Sequence, residues 1–355
     1  MKILTVVGAR PQFVKAAVVS RAIKHSKDIE EVIVHTGQHY DKNMSDVFFE
    51  EMDIPKPKYS LNLGGGNHGE MTGRQLEAIE KVLLLERPDI VLVYGDTNST
   101  IAGALSAVKL QIPVAHVEAG LRSFNMAMPE EVNRILTDNI STQLFCPTEA
   151  AIQNLKREGF EHKKCEIFNV GDVMYDAALY YLDKSHCPKS LGASVEPDFI
   201  LATVHRADNT DNPSKLGNII DALNQLSLER RVICPIHPRT RKKIAELDLD
   251  CRFTLLDPVS YFEMLWLLKN SALVLTDSGG LQKEAYFFQK YCVTMRDQTE
   301  WVELVENGVN SLVGSDKEKI VSQVNNFLTS QFEARTDLYG NGDAGMKIVE
   351  KLSVK

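Results

Sequence analysis

Ala272-Leu273-Val274-Leu275-Thr276-Asp277-Ser278-Gly279-Gly280-Leu281-Gln282-Lys283-Glu284 decides how this chain folds. An apolar, β-branched run ends in a tight turn, and an amphipathic segment starts at once. A buried strand that feeds directly into a helix is the building unit of a parallel sheet. Ser278 is a residue type that caps helix N-termini, and Gly279 and Gly280 allow an anion close to the backbone N–H groups. That helix end carries roughly half a positive charge, which suits a phosphate. Glu284 falls about one turn into the helix, within reach of ribose hydroxyls. The same residues also suit a plain capped helix after a flexible turn, so their companions along the chain carry the decision.

Those companions are numerous. Short apolar runs recur at residues 3–7, 31–35, 90–94, 114–117 and 143–146, and again at 199–204, 231–236, 253–256, 272–276 and 291–295, with helical patterns between them. Two such sets of comparable size predict two doubly wound, Rossmann-like α/β domains, 1–168 and 169–337. Residues 165–175 read as a crossover and 185–197 as a polar loop. Residues 338–355 follow a glycine-rich turn (Gly340, Gly342, Gly345) and read as a closing helix that packs back on the N-terminal domain. Ligands of open α/β sheets bind beyond the carboxyl ends of the strands, so the expected site is a cleft between the two domains.

Composition narrows the function classes. A chain of 355 residues with 44% hydrophobic and 25% charged residues is an ordinary globular sequence. Its net charge of −8 argues against a nucleic-acid polymer as partner, which calls for a basic face. Arg10, Arg206, Arg239 and Arg296 instead recur just after strands, where they suit a small anion. The six cysteines lack any CxxC spacing, which predicts neither a zinc site nor a disulfide framework and places the protein in the cytoplasm. No run approaches the about 18 apolar residues of a membrane helix, and no membrane partner is expected.

Further clusters sit at strand ends. Gly8-Ala9-Arg10-Pro11-Gln12 follows the first strand without the GxGxxG spacing of a dinucleotide fold. Gly95-Asp96, His116-Val117-Glu118, Pro129-Glu130-Glu131, His205-Arg206 and Pro235-Ile236-His237-Pro238-Arg239 follow others. Each has a bland explanation by itself. A strand-end Asp usually caps a helix, a Glu pair in a first turn complements the dipole, His116 suits a satisfied core histidine and is kept outside the site, and His237 between prolines is structural as often as functional. Asp96, Glu118 and Glu130 together at one sheet edge point to proton transfer on a substrate whose anion is held elsewhere. His205 and Arg296 suit the phosphates, and His205 also suits protonation of a leaving oxygen.

GARPQF, GDTNST, HVEAGLRS, MPEEVNR, TVHR, PIHPRT, TDSGGLQKEA and MRDQTE occur in this order across residues 8–300. Together they resemble the non-hydrolysing UDP-N-acetylglucosamine 2-epimerases, of glycosyltransferase-B architecture, over essentially the whole chain. The resemblance implies catalytic roles for Asp96, Glu118, Glu130 and His205. It implies substrate or UDP contacts for Arg10, Lys15, His237, Ser278, Gly279, Gly280, Glu284 and Arg296. It further implies a homodimer, no cofactor and no metal. The reaction would be anti elimination of UDP through a 2-acetamidoglucal and re-addition, serving surface polysaccharide synthesis.

Glu300 is followed by Trp301-Val302-Glu303 where relatives acting on UDP-N-acetylglucosamine continue Arg-Pro-Glu. The loop from Arg122 to Pro129 is also short, and GARPQF replaces a GTRPE-type start. These features resemble the branch acting on UDP-2,3-diacetamido-2,3-dideoxy-glucuronate. UDP-N-acetylglucosamine epimerisation and a glycosyltransferase of the same architecture are the alternatives, and Gln38-His39 is given no role.

Overall fold

The computed structural model describes residues 1–38, 52, 54–192, 195–333 and 337–353, and for Arg10 the backbone alone. His39 and residues 193–194 of the expected polar loop thus lie outside the described residues, as does the Arg10 side chain. The chain divides into two compact units, Met1–Ala177 with Leu338–Lys355, and Ala178–Asp337.

In the first unit seven parallel strands are β1 (Lys2–Val7), β2 (Glu30–His35), β3 (Tyr59–Ser60), β4 (Ile90–Tyr94), β5 (Val114–Val117), β6 (Gln143–Cys146) and β7 (Glu166–Asn169). Their order is β3-β2-β1-β4-β5-β6-β7. The second unit has β8 (Phe199–Thr203), β9 (Val232–Pro235), β10 (Thr254–Leu256), β11 (Ser271–Thr276), β12 (Cys292–Thr294) and β13 (Asn310–Leu312), all parallel, in the order β10-β9-β8-β11-β12-β13. β4 is buried along its whole length, as is β8. Helices on both faces demand such apolar runs, and this is why the strands were readable from sequence.

The crossover expected at residues 165–175 is instead partly a strand. β7 pairs with β6 at the sheet edge, and because its ends Glu166 and Asn169 are exposed it lacks an apolar run. β3 and β13 are short edge strands for which no strand was expected. The first unit also continues past residue 168. The Asp172 N–H donates to the Tyr339 carbonyl (3.0 Å), and Asp176 Oδ2 accepts from the Gly345 N–H (2.9 Å) at the start of the helix Ala344–Ser353. That helix packs against the helix Arg10–Lys24.

In both sheets the strand order reverses once at a switch point: between β1 and β4, and between β8 and β11. Connections leave in opposite directions there, so a crevice opens beyond the carboxyl ends of those strands. The loops after β1, β4, β8 and β11 are those that begin at Gly8, Gly95, Val204 and Asp277.

Burial pushes the Asp176 carboxyl up to about 6, against the lowering effect of the Gly345 and Ala344 N–H groups, while Asp172 and Asp343 push it further up. The folded value lies above the unfolded one, so the cost of ionisation is absent at low pH and complete above about pH 6. Stability is therefore expected to fall as pH rises from about 4 to about 6. In Asp176→Asn this loss is absent: its stability relative to the native chain should rise by about 2 kcal/mol over that interval. Urea melts at several pH values check this, and a difference constant with pH would contradict it.

Candidate functional site

In the first unit the strand ends are stitched by Gln12, a buried side chain on the first turn of Arg10–Lys24. Its Oε1 accepts from the Gly8 N–H (2.8 Å) and the Ala9 N–H (3.0 Å), and its Nε2 donates to the Tyr94 carbonyl (2.8 Å) and to Thr100 Oγ1 (3.0 Å). The loop after β1 is thereby fixed to the end of β4. Gly8 is required by close approach: a Cβ there would lie 2.1 Å from both Ser99 Oγ and Thr36 Oγ1. Those hydroxyls bond each other at 2.8 Å, and Gln38 Oε1 accepts from the Ser99 N–H (3.0 Å) and Ser99 Oγ (2.7 Å).

Beyond β4 and β5 the chain turns sharply. Gly95 has φ 63° and Glu118 φ 71°. The left-handed region costs a non-glycine residue about 1–3 kcal/mol, a strain found where a side chain must be aimed. Lys15 reaches from Arg10–Lys24 and pairs with Glu118, both side chains being nearly buried. A Cβ on Gly95 would lie 3.2 Å from Lys15 Nζ and 3.3 Å from Glu118 Oε2, so Lys15, Glu118 and the Gly95-Asp96 turn share one place.

Asp96 is held by Arg134. Its carbonyl accepts from Asn133 Nδ2 (3.0 Å). Arg134 also pairs with Glu131 (2.8 Å), whose carboxylate accepts from the N–H groups of Ser123 and Phe124. The structure thus separates the two neighbouring acids on the helix Pro129–Ile140: Glu131 is buried as a loop clamp and Glu130 is exposed. Glu130 sits one turn before Arg134, the residue that draws this helix to Asp96.

His116 is the satisfied core histidine that the sequence suggested, wholly buried between Asp138 and the Gly95 carbonyl. The sequence assigned no role to Gln12, Glu131 or Arg134. All three stand inside the GARPQF and MPEEVNR stretches, which was the available signal.

In the second unit Asp277 plays the stitching part. Its buried carboxylate accepts from the N–H groups of His205 (3.0 Å) and Arg206 (3.0 Å) and from Asn209 Nδ2 (3.2 Å), and lies 3.3 Å from His205 Nδ1. His205 is thus turned so that Nδ1 faces Asp277, leaving Nε2 as the nitrogen for another partner. The Thr203 and Thr276 hydroxyls bond at 2.6 Å beneath.

The expected turn is present: Ser278 precedes the helix Gly279–Phe287, its N–H donating to Thr276 Oγ1 (2.9 Å) while its hydroxyl makes no cap bond. Ser278 therefore does not act as the side-chain cap that its position suggested. Glu284 is buried within this helix, and Gly280 has nothing within 4 Å of where a Cβ would stand.

Arg296 pairs with Glu300 at 3.0 Å, and Glu300 Oε1 would be 2.2 Å from a Cβ on Gly279. This carboxylate at the helix start was not singled out from sequence. The segment is anchored by Gln282, whose Oε1 accepts from Thr299 Oγ1 (2.7 Å) and Asn310 Nδ2 (3.0 Å). His237 stands apart as an exposed N-cap, its Nδ1 accepting from the Arg239 N–H (3.2 Å). His205, Ser278, Gly279 and Arg296 are thus gathered around the β8 and β11 ends.

Among the described residues, no group of three or more His, Cys, Asp or Glu side chains could hold a metal ion. No described helix is long and apolar enough to cross a membrane.

Two doubly wound parallel sheets, with polar clusters at both switch points, place the chain in the class of glycosyltransferase-B-like α/β proteins. A family model described as UDP-N-acetylglucosamine 2-epimerase matches residues 21–353, and the chain belongs to that family. It is 57% identical to a UDP-2,3-diacetamido-2,3-dideoxy-D-glucuronate 2-epimerase of Pseudomonas aeruginosa, over 99% of each chain. Its fold matches a crystal structure of Methanocaldococcus jannaschii UDP-GlcNAc 2-epimerase in complex with UDP-GlcNAc and UDP, with a TM-score of 0.89, 46% identity and 99% of each chain covered. A Neisseria meningitidis UDP-GlcNAc 2-epimerase bound to UDP-GlcNAc matches with a TM-score of 0.88 at 31% identity, again over 99% of each chain.

Gly8→Ala should drive a methyl group into the Ser99 and Thr36 hydroxyls. The added Cβ would also stand 3.0 Å from Ser99 Cβ, which no change of rotamer relieves, and overpacking of this kind costs about 1–3 kcal/mol. A lowered melting temperature is the expected outcome, and a variant as stable as the native chain would show that this loop yields.

Proposed function

We propose that this chain is a cofactor-independent, non-hydrolysing 2-epimerase of a UDP-2-acetamido sugar, converting UDP-2,3-diacetamido-2,3-dideoxy-D-glucuronate to the mannuronate form. One observation carries the reaction class: two strand-end carboxylates, Asp96 and Glu118, are each held by a cation, and Glu118 sits on strained backbone beside Gly95. The choice of sugar rests on the likeness to the Pseudomonas aeruginosa enzyme over the full length.

The chemistry explains why such groups are needed. The C2 hydrogen of the sugar is not acidic while C1 is bonded to UDP. Cleavage of the C1–O bond sends its electron pair to the diphosphate and leaves an oxocarbenium-like centre. A carboxylate then takes the C2 proton, and the C–H electron pair becomes the C1–C2 double bond of a glucal. Protonation of C2 on the opposite face and return of UDP to C1 invert the centre.

In this reading the turn at Ser278, Gly279 and Gly280, with Arg296, stabilises the diphosphate as it leaves, a transition-state task. Arg10 and His237 are further candidate nucleotide contacts, and Glu284 takes the ribose. His205, oriented by Asp277, protonates or hydrogen-bonds the leaving oxygen through Nε2. Asp96, Glu118 and Glu130 serve C2, and Lys15 pairs with Glu118. The protein works as a cytoplasmic homodimer, and the product feeds surface polysaccharide synthesis. Six free cysteines support the cytoplasm.

The test is proton NMR of purified protein in deuterium oxide with each nucleotide sugar in turn. Deuterium at C2 and appearance of the manno isomer are expected from the diacetamido uronate. Turnover of UDP-N-acetylglucosamine alone would overturn the sugar assigned here, and stoichiometric free UDP would replace epimerisation by hydrolysis. Asp96→Asn and Glu118→Gln should each lower kcat by about 10²–10⁴, the usual worth of an acid–base group, with UDP affinity by calorimetry close to native. Loss of UDP binding in either variant would mean that the carboxylate is structural.

A further inference from the structure

His116 lies on β5 two residues before Glu118, and it touches the residue before Asp96. Its Nε2 is 2.7 Å from the Gly95 carbonyl oxygen, which can only accept, so Nε2 carries a hydrogen. Its Nδ1 is 2.7 Å from Asp138 Oδ1. The other Asp138 oxygen accepts from Arg122 Nη1 (2.7 Å) and from the Gly120 N–H (3.1 Å). Arg122 in turn forms a two-pronged pair with Glu158 (2.7 and 2.8 Å). His116 and Asp138 are both wholly buried.

Burial raises the Asp138 carboxyl, but its bond to His116 and the His116 and Arg122 charges outweigh that and hold it below the ordinary carboxylate range. His116 is thus clamped at both nitrogens, in a cluster with Asp138, Arg122 and Glu158. Such clusters are costly to desolvate and add little stability over an apolar core, which directs attention to what they hold in place.

What this one holds are two left-handed turns, of which the one at Glu118 is strained. Gly95 and Glu118 both have positive φ, the Gly95 N–H donates to the Val117 carbonyl (3.0 Å), and the Glu118 N–H donates to the Phe145 carbonyl (3.0 Å). The His116 ring spans from one turn's carbonyl to an anchor that also grips Gly120, beyond the other turn. We propose that His116, anchored on Asp138, is a positioning residue that fixes the Gly95-Asp96 turn and the left-handed Glu118 as one rigid unit. The proposal rests on the epimerase reading for its effect on turnover, and on the structure alone for its effect on the turns. A displacement of about 1 Å at reacting groups is worth roughly a hundredfold in rate.

The experiment compares His116→Gln, which keeps a donor for the Gly95 carbonyl, with His116→Ala, which keeps none. Turnover and UDP affinity are read together with hydrogen exchange at the Gly95 and Glu118 amides. Exchange at both amides should quicken in the order native, Gln, Ala, while UDP affinity stays within about threefold. For kcat the expected falls are about tenfold for Gln and about a hundredfold for Ala. Unchanged exchange in a folded variant overturns the positioning role whatever happens to turnover. Native kcat in a variant whose exchange has quickened overturns it too. If His116→Ala does not fold, His116→Gln carries the comparison alone. Failure of the native protein to epimerise any UDP-2-acetamido sugar would remove the functional reading, and the exchange comparison would still decide the part played by His116.

Discussion

A buried polar side chain that ties together two strand ends is the constraint on which each unit depends. Where the strand order reverses, the chain leaves the sheet in opposite directions and its N–H groups lose their ladder partners. Buried groups of that kind must still be bonded. Gln12 does this in the first unit, from the helix after β1, and Asp277 does it in the second, from the residue after β11. One side chain serves as both latch and hydrogen-bond acceptor, so the loops that frame each switch point are held in one conformation.

Given that frame, the remaining polar groups at the strand ends pair with one another. In the first unit they are acids balanced by bases, Glu118 by Lys15 and Asp96 by Arg134. In the second a base faces an acid at the helix start, Arg296 with Glu300. Ion pairs of low exposure stabilise a fold weakly, because desolvation offsets most of the attraction. In the proposed reaction their value is preorganisation: charges already oriented need no rearrangement when charge develops on a substrate.

Much of this was legible beforehand. β4, β5 and β6 begin and end where the apolar runs predicted, because a strand covered on both faces can hold little else. β3, β7 and β13 were not legible, since edge strands that are short or half-exposed carry no such run. Asp96, Glu118, His205 and Ser278 could be named as strand-end residues. Their partners could not. Arg134 lies 38 residues from Asp96, and Asp277 lies 72 residues from His205. No local pattern relates groups so far apart.

By itself, then, the sequence determined two parallel α/β units, the strand ends at which polar residues cluster and the family to which the chain belongs. Alternation of apolar runs with helical patterns is a local property, and ordered motifs survive as text. Only the tertiary structure decided which polar side chains face outward and which are consumed inside. Glu130 and Glu131 are adjacent in sequence, yet about 100° apart around their helix. The loop at Ser123 and Phe124 folds over one of them and leaves the other exposed. His116 has the same character, since its ring became part of the site's scaffold only when β4, β5 and the helix bearing Asp138 were brought together.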